Sequence, residues 1–443
     1  MDRKFALLEI ATDPVQMAPR LQARLFNSWN GRPQIQHLHV SRVFPSGDGS
    51  LSIQYVVYLQ EPATSTPRRM IFCGQWFGMA DGRPTYLAEE PNRVVSIDDL
   101  DLAVPIFPFD PDLRIAPLLD DGRVLRSQAS LSNIETDYRW SEFDLETYEV
   151  LSYRLRRRCV LRLKTGPSRS GLDMLEVIAK IYRPTKFHRV LTTLNWLETR
   201  GYGRVAEDSL AFATAVAVDR ERGYLFLKPS VGKSVHDSIG NGSFVPGCAA
   251  AAGILSKLHS ESGSDLPRHD WKSETKNLSP TMELAGSIYP EMSELFRSAF
   301  DALQSRAVLV EASRPTAIHR DFYDKQVLFG KGAPTTLLDF DSLASGDRAC
   351  DVGNFLAHLD LRELQHPEAA AEIRAGESAF LGAYDNTDDD IAPRVRWWRA
   401  ASLLRLGAIY ALRPRWRHLA ATLAEKSRQL ISIRERMKGK VVQ

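Results

Sequence analysis

Apolar and polar positions along this chain fall into two strand-like blocks followed by a long helical stretch. From Gln36 to Phe44 they alternate, Pro45-Ser46-Gly47-Asp48-Gly49 supplies turn chemistry, and Leu51 to Leu59 (LSIQYVVYL) reads as the return strand. A third strand is expected over Arg69 to Phe77. Three antiparallel strands make a small sheet that needs a second layer to cover its face. The plan recurs at Tyr148 to Tyr153, a basic tip at Arg154 to Arg158, Cys159 to Lys164, a Gly/Ser loop at 166 to 171, and Leu175 to Tyr182. Residues 36 to 77 therefore read as a modified copy of 148 to 182, against the alternative that any three-stranded meander has this shape. Ahead of the first block one helical pattern, Pro14 to Asn30, stops at Asn30-Gly31-Arg32-Pro33. Between the blocks, the Pro- and Asp-rich segment Asp98 to Asp121 reads as a structured linker.

After Tyr182 the pattern predicts a helix over Thr185 to Arg200, ended by Gly201, and strands at Leu210 to Val218 and Gly223 to Leu227. Lys228 to Ser243 reads as a loop with a short helix, and Pro246 to Ser260 as an alanine-rich helix. Beyond it the chain is mostly helical. The shift near residue 230 sets an expected organisation of an N-terminal extension (1–140) with its own small antiparallel sheet, a β-rich lobe (141–229) and a helical lobe (230–443). The fold class is α+β.

One stretch interrupts the helical half. In residues 317–355, AIHRDFYDKQVLFGKGAPTTLLDFDSLASGDRACDVGNF, the β-favouring runs Val327 to Phe329 and Thr335 to Leu338 flank the turn residues Gly330-Lys331-Gly332-Ala333-Pro334. This hairpin brings Asp321 and Gln326 into one end and Asp339 out of the same end. Phosphoryl transfer uses such a set: a carboxylate to orient and deprotonate the attacking hydroxyl, and oxygen ligands for magnesium on the nucleotide phosphates.

Composition bounds this picture without redirecting it. A chain of 443 residues predicts two or three domains, and 44% hydrophobic with 25% charged residues is ordinary for a soluble globular protein. A net charge of +2 gives no reason to expect nucleic acid or membrane as a partner. Cys73, Cys159, Cys248 and Cys350 are widely spaced and read as reduced, buried thiols. The apolar patch in MDRKFALLEIATD is too short for a signal peptide and no run approaches membrane-spanning length, so the expected location is the cytoplasm.

From residue 148 to 412 the chain resembles the aminoglycoside phosphotransferase and choline kinase superfamily. The resemblance rests on Lys180, on Leu255 to His259, and chiefly on HRDFYDKQ and LLDFDSLASGDRACDVGNF, where Asp347 and Asp351 follow Asp339 by eight and twelve residues. It implies a bilobal protein-kinase-like fold using ATP, or another NTP, with magnesium. Carried over position by position, it implies that Asp321 orients or deprotonates the acceptor hydroxyl, that Gln326 and Asp339 hold magnesium, and that Lys180 pairs with the nucleotide phosphates. His319 and Asp351 would support the loop and the helix start at Val352, with Asp341 in a supporting place.

Several positions depart from the family pattern. Gln326 stands where most members have asparagine; its amide oxygen can still bind magnesium from one methylene further out. The nucleotide-covering loop has no glycine. Its tip is Arg156-Arg157-Arg158, and Arg157 is taken as the phosphate contact, the alternative being a solvated basic tip. The glutamate partner of the lysine is expected near Val190, yet Glu198, near the helix end, is the only acid there. Lys180 alone reads as a lysine snorkelling at a sheet edge, and the acidic hairpin downstream is what makes it the expected phosphate lysine. Val231-Gly232-Lys233-Ser234 imitates the end of a phosphate-binding loop, but Leu227 occupies the place of the required earlier glycine, so the match fails. Asp388-Asp389-Asp390 reads as a helix-start loop.

Arg394, Arg396, Arg399, Arg405, Arg413, Arg415 and Arg417 would repel a polycation if they lined the acceptor site. They favour a neutral or anionic hydroxylated acceptor, a sugar, nucleoside, antibiotic or related metabolite, unless they form a solvated face or pack against the N-terminal sheet. The leading function is a small-molecule kinase. The alternative is a pseudokinase or nucleotide-binding interaction module. A protein kinase is disfavoured because no Ala-Pro-Glu segment follows Asp339-Phe340-Asp341.

Overall fold

The computed structural model describes residues 3–27, 33–46, 48–62, 65–120, 145–166, 176–202, 210–213, 215–310, 314–330, 332–385 and 391–432. The chain divides into two compact units. Met1–Glu207, Ala211–Ser230 and Leu412–Arg415 form the first; Asp208–Leu210, Val231–Ala411 and Trp416–Gln443 form the second. The first is rich in strands and the second in helices, which is the α+β class expected from sequence.

The first unit opens with α1 (Arg3–Thr12) and α2 (Pro14–Leu21), where one helix was expected. Asp13 separates them: its side chain accepts from the Val15 N–H and caps α2, with Pro14 at the first helical position. Strands β1 (Gln34–Pro45), β2 (Leu51–Gln60) and β3 (Arg68–Trp76) follow as an antiparallel meander. After α3 (Tyr86–Glu89) come β4 (Val94–Ile97) and β5 (Leu102–Pro105), completing a sheet of order β1-β2-β3-β5-β4.

The expected linker from Asp98 is thus corrected at its start. Leu102 to Pro105 is a strand that pairs with β3 through Gln75–Ala103 and Trp76–Leu102. All four of its residues are buried. A short, fully buried apolar run shows no alternation, and that hid it in the sequence.

Beyond α4 (Ile115–Asp120), the second sheet contains β6 (Leu145–Arg154), β7 (Arg158–Thr165) and β8 (Glu176–Tyr182). After α5 (Phe187–Thr199), the strand expected over Leu210 to Val218 is split into β9 (Leu210–Phe212) and β10 (Ala215–Asp219). With β11 (Tyr224–Leu227), β10 completes a sheet of order β10-β11-β8-β7-β6. The Gly/Ser loop lies mostly outside the described residues.

The two sheets share a core. Val56, Ile71 and Cys73 from the first, and Leu113, Ile115 and Leu118 from the connection, pack with Tyr153, Cys159, Leu161, Ala179, Ile181 and Phe226. The Tyr153 carbonyl accepts hydrogen bonds from Gln54 Nε2 and Cys73 Sγ. All four cysteines are buried and free, and burial pushes the Cys73 thiol up to about 12.

From Val231 the second unit contains β12 (Lys233–Ser234), followed by α6 (Phe244–His259), α7 (Trp271–Ile288) and α8 (Pro290–Ser305). Then come β13 (Thr316–Ile318), β14 (Val327–Phe329), β15 (Thr335–Leu337) and β16 (Ala344–Gly346), and α9 (Ala349–Gln365), α10 (Ala370–Ala383), α11 (Ile391–Ala411) and α12 (Ala420–Ser432). Strand β13 pairs with β16, and β14 pairs with both β15 and β12.

The segment imitating a phosphate loop therefore runs into a strand, β12, at Lys233 and Ser234. Gly232 at φ 117° lets it pass the Phe329 backbone, which a Cβ would approach to 3.2 Å. Helix α9 is buried along most of its length against α11, where Gly353 meets the backbone of Trp398 and Arg399. Asp388 to Asp390 lie outside the described residues. Among the described residues no helix is long and apolar enough to cross a membrane.

Candidate active site

The second unit builds its site on two short strand pairs. Strand β13 delivers the chain to His319, and the β14–β15 hairpin has Gln326 just before one strand and Leu338-Asp339 just after the other. The Leu338 N–H donates to the Gln326 carbonyl (2.8 Å), which fixes those ends side by side. His319 Nε2 lies 2.8 Å from the Leu338 carbonyl and ties the loop carrying Asp321 to the segment carrying Asp339. Both segments bend through left-handed backbone, Arg320 at φ 68° and Asp339 at φ 62°. For residues other than glycine that conformation is held by surrounding contacts.

Asp351, in the first turn of α9, supplies much of that hold. Its Oδ2 accepts from the His319 N–H (2.6 Å) and its Oδ1 from the Arg320 N–H (2.7 Å). His259, the last residue of α6, donates from Nε2 to the same Oδ2 (3.0 Å), and its Nδ1 lies 2.7 Å from the Tyr384 hydroxyl. Complete burial works to raise the Asp351 carboxyl. The bond and charge of His259, with His319, more than reverse this and hold it below the usual carboxylate range. His319 and Asp351 thus lie where they brace the loop backbone. Asp341 is exposed beyond Asp339.

Residues not singled out from sequence complete the frame. Asp324, between Asp321 and Gln326, is fully buried and takes two hydrogen bonds from Arg362 (2.7 and 3.0 Å) and one contact from His236 Nδ1 (2.9 Å). Burial opposes its charge, but Arg362 and His236 keep it far below the usual range. Asn354 donates to the Phe322 carbonyl (2.9 Å) and accepts from Arg405 Nη2 (2.6 Å). Glu274 on α7 is also buried. Burial would raise its carboxyl; Arg405, His269 and Arg320 lower it to about 2. Asp324 had a visible signal in its place between two candidate residues. Glu274 had none.

The C-terminal arginines change meaning. Arg394 is buried on Asp347, and Arg399 binds Asp360 (2.7 Å) and Glu377 (2.6 and 3.0 Å). They are internal ion-pair partners, so they carry no argument about acceptor charge.

In the first unit, Lys180 sits within β8, opposite Val160 of β7 and Leu225 of β11, and is 8% exposed. It occupies an inner strand of the sheet. Among the described residues the buried Oε1 of Glu198 on α5 has no hydrogen-bond partner, and burial raises its carboxyl. At the β6–β7 tip, Arg157 is exposed, with its guanidinium 5.6 Å from the centre of the Phe44 ring. Arg156 beside it, at φ 58°, is bound to Asp48 and Asp112.

Solved structures similar to the chain include a thermostable mutant of aminoglycoside phosphotransferase APH(4)-Ia, 13% identical, covering 65% of this chain and 94% of that one with a TM-score of 0.46. Choline kinase LicA from Streptococcus pneumoniae is 11% identical, covering 65% and 93% with a TM-score of 0.43. Macrolide 2'-phosphotransferase MphH from Brachybacterium faecium is 13% identical, covering 64% and 94% with a TM-score of 0.39. No curated protein matches the chain. The sequence model of the phosphotransferase enzyme family, APH, matches residues 163–389, a span that holds Lys180, the loop at Asp321, the hairpin and the Asp351 clamp, and the chain belongs to that family.

Proposed function

We propose that the protein is an ATP- and magnesium-dependent phosphotransferase that moves the γ-phosphoryl group to a hydroxyl of a small molecule. The observation that carries this reading is the clamp of Asp351 on the His319 and Arg320 amides. It commits a fully buried carboxylate to the backbone immediately before Asp321. Asp321 would orient the acceptor hydroxyl and take its proton as the oxygen attacks the γ-phosphorus and the bond to the β,γ-bridging oxygen breaks, releasing ADP.

The Gln326 amide oxygen and the Asp339 carboxylate are hard oxygen donors, which fit magnesium. Bound there, the ion would neutralise charge on the nucleotide phosphates. Lys180 is the candidate cation for those phosphates. Catalysis would then consist mainly of positioning and charge neutralisation. A second reading, a nucleotide-binding module without transfer, is favoured by Glu198, whose buried Oε1 has no hydrogen-bond partner among the described residues.

Calorimetry with Mg–ATP, followed by acceptor-dependent ADP release across a panel of sugars, nucleosides and antibiotics, separates the two. Asp321→Ala and Asp339→Ala should each lower turnover by about a hundredfold or more. Near-full activity in either, or no nucleotide binding at millimolar ATP, would sink the assignment.

A further inference from the structure

The two sheets of the first unit have one topology. In each, three strands form a meander, a helix follows, and two further strands return so that the fifth pairs with the third and the fourth takes the edge. The orders are β1-β2-β3-β5-β4 and β6-β7-β8-β11-β10, with every neighbouring pair antiparallel. Helix α3 stands in the first sheet where α5 stands in the second. A shared meander is common; a shared five-strand order with the helix in the same place is a stronger likeness.

Register extends it to a residue. Lys180 lies opposite Leu225, the second residue of β11, and Gln75 lies opposite Ala103, the second residue of β5. Gln75 is 2% exposed, and its Oε1 accepts from the Tyr86 hydroxyl on α3 (2.8 Å). Its Nε2 donates to Asp48 (3.0 Å) and Ser50 (2.8 Å) in the β1–β2 turn. Strand, following helix and first turn are thus joined through a neutral amide where the second sheet has a lysine.

What the first sheet holds is the tip of the second. A cavity of about 640 Å³ beside Gln75 and Tyr86 is also lined by Asp48, Phe109, Asp112 and Arg156. Arg156 reaches Asp48 (3.0 Å) and Asp112 (3.1 Å), while its N–H donates to Asp110 (2.9 Å), which also accepts from the Tyr153 hydroxyl (2.9 Å). Arg183, just past β8, binds Asp112 and the Arg156 carbonyl. The β6–β7 turn therefore has charge-assisted anchors on three carboxylates from the N-terminal region, where a glycine-rich loop would be free to move.

We infer that residues 34–113 are a second copy of the nucleotide-lobe sheet that has exchanged phosphate binding for a clamp on the β6–β7 covering loop of the other copy. In this arrangement Asp48, Asp110 and Asp112 are positioning residues, acting through Arg156 on the loop beside Arg157. The part played by the tip in nucleotide binding rests on the proposed function; the clamp itself does not.

Two measurements on the full chain test this. Hydrogen exchange over residues 150–160 is compared among wild type, Arg156→Ala, Arg156→Lys and Asp112→Asn, with thermal melting as the check on folding. Arg156→Ala should keep the melting behaviour and raise exchange at the tip about tenfold, with Arg156→Lys recovering part of the protection. Unchanged exchange in Arg156→Ala overturns the clamp, whatever ATP does. If that variant fails to fold, the milder Asp112→Asn decides by the same comparison.

Calorimetry with Mg–ATP then gives the stoichiometry. One site in wild type, lost in Lys180→Ala, is expected. A second site, or binding that survives Lys180→Ala, overturns the exchange of function in the first sheet. A wild type that binds no nucleotide removes the proposed function and leaves the exchange comparison to decide the clamp.

Discussion

Replacing Asp351 by asparagine keeps the shape of the side chain and removes its charge and half of its accepting capacity. Oδ2 serves both the His319 N–H (2.6 Å) and His259 Nε2 (3.0 Å), while Oδ1 serves the Arg320 N–H (2.7 Å). The cheaper orientation of the amide keeps its oxygen on His319 and His259 and turns its nitrogen, a donor, against the Arg320 N–H. One hydrogen bond to a charged group is lost and one buried donor is left unsatisfied, together about 3 kcal/mol. Alanine removes all three contacts and should cost about 5 kcal/mol. With a urea slope of about 2–3 kcal/mol per molar, the unfolding midpoint should fall by about 1 M for Asp351→Asn and about 2 M for Asp351→Ala, followed by circular dichroism. A double-mutant cycle with His259→Ala should show coupling of about 1–2 kcal/mol. The reasoning fails if Asp351→Asn lies within about 0.5 kcal/mol of wild type, if asparagine costs as much as alanine, or if the cycle is additive.

Three further outcomes follow from the same geometry. The Glu274 carboxyl lies at about 2 in the folded protein against an ordinary 4.5, so its stabilisation is complete above about pH 4.5 and is lost as pH falls toward 2; Glu274→Gln should flatten the melting-temperature profile over that window. A Cβ at Gly353 would lie 2.6 Å from the Arg399 backbone nitrogen, so Gly353→Ala should destabilise by about 1–3 kcal/mol. Gly382→Ala in α10, with nothing within 4 Å of the added atom, serves as the control and should be neutral or stabilising in the same melts. Arg362→Met strands the buried Asp324 carboxylate and should cost about 3–5 kcal/mol, most of it recovered when Asp324→Leu is added, as thermal melts of the two variants will show.

The sequence by itself determined the α+β class, the change of character near residue 230 and the β14–β15 hairpin, because each is written in local periodicity and turn chemistry. It also placed Gln326 and Asp339 at one end of that hairpin, since two strands joined by a short turn must return there. Tertiary structure decided which groups brace those residues. Asp351 meets the His319 amide across 32 residues and His259 across 92, and no local pattern reports a partner at such range. The C-terminal arginines read in the sequence as an acceptor-site lining, a solvated face or a packing surface for the N-terminal sheet, whereas Arg394 and Arg399 lie against carboxylates on α9, α10 and the turn before α9. The basic tip looked free and is bound to Asp48, Asp110 and Asp112. Periodicity records whether a side chain is covered; only the packed chain records what covers it.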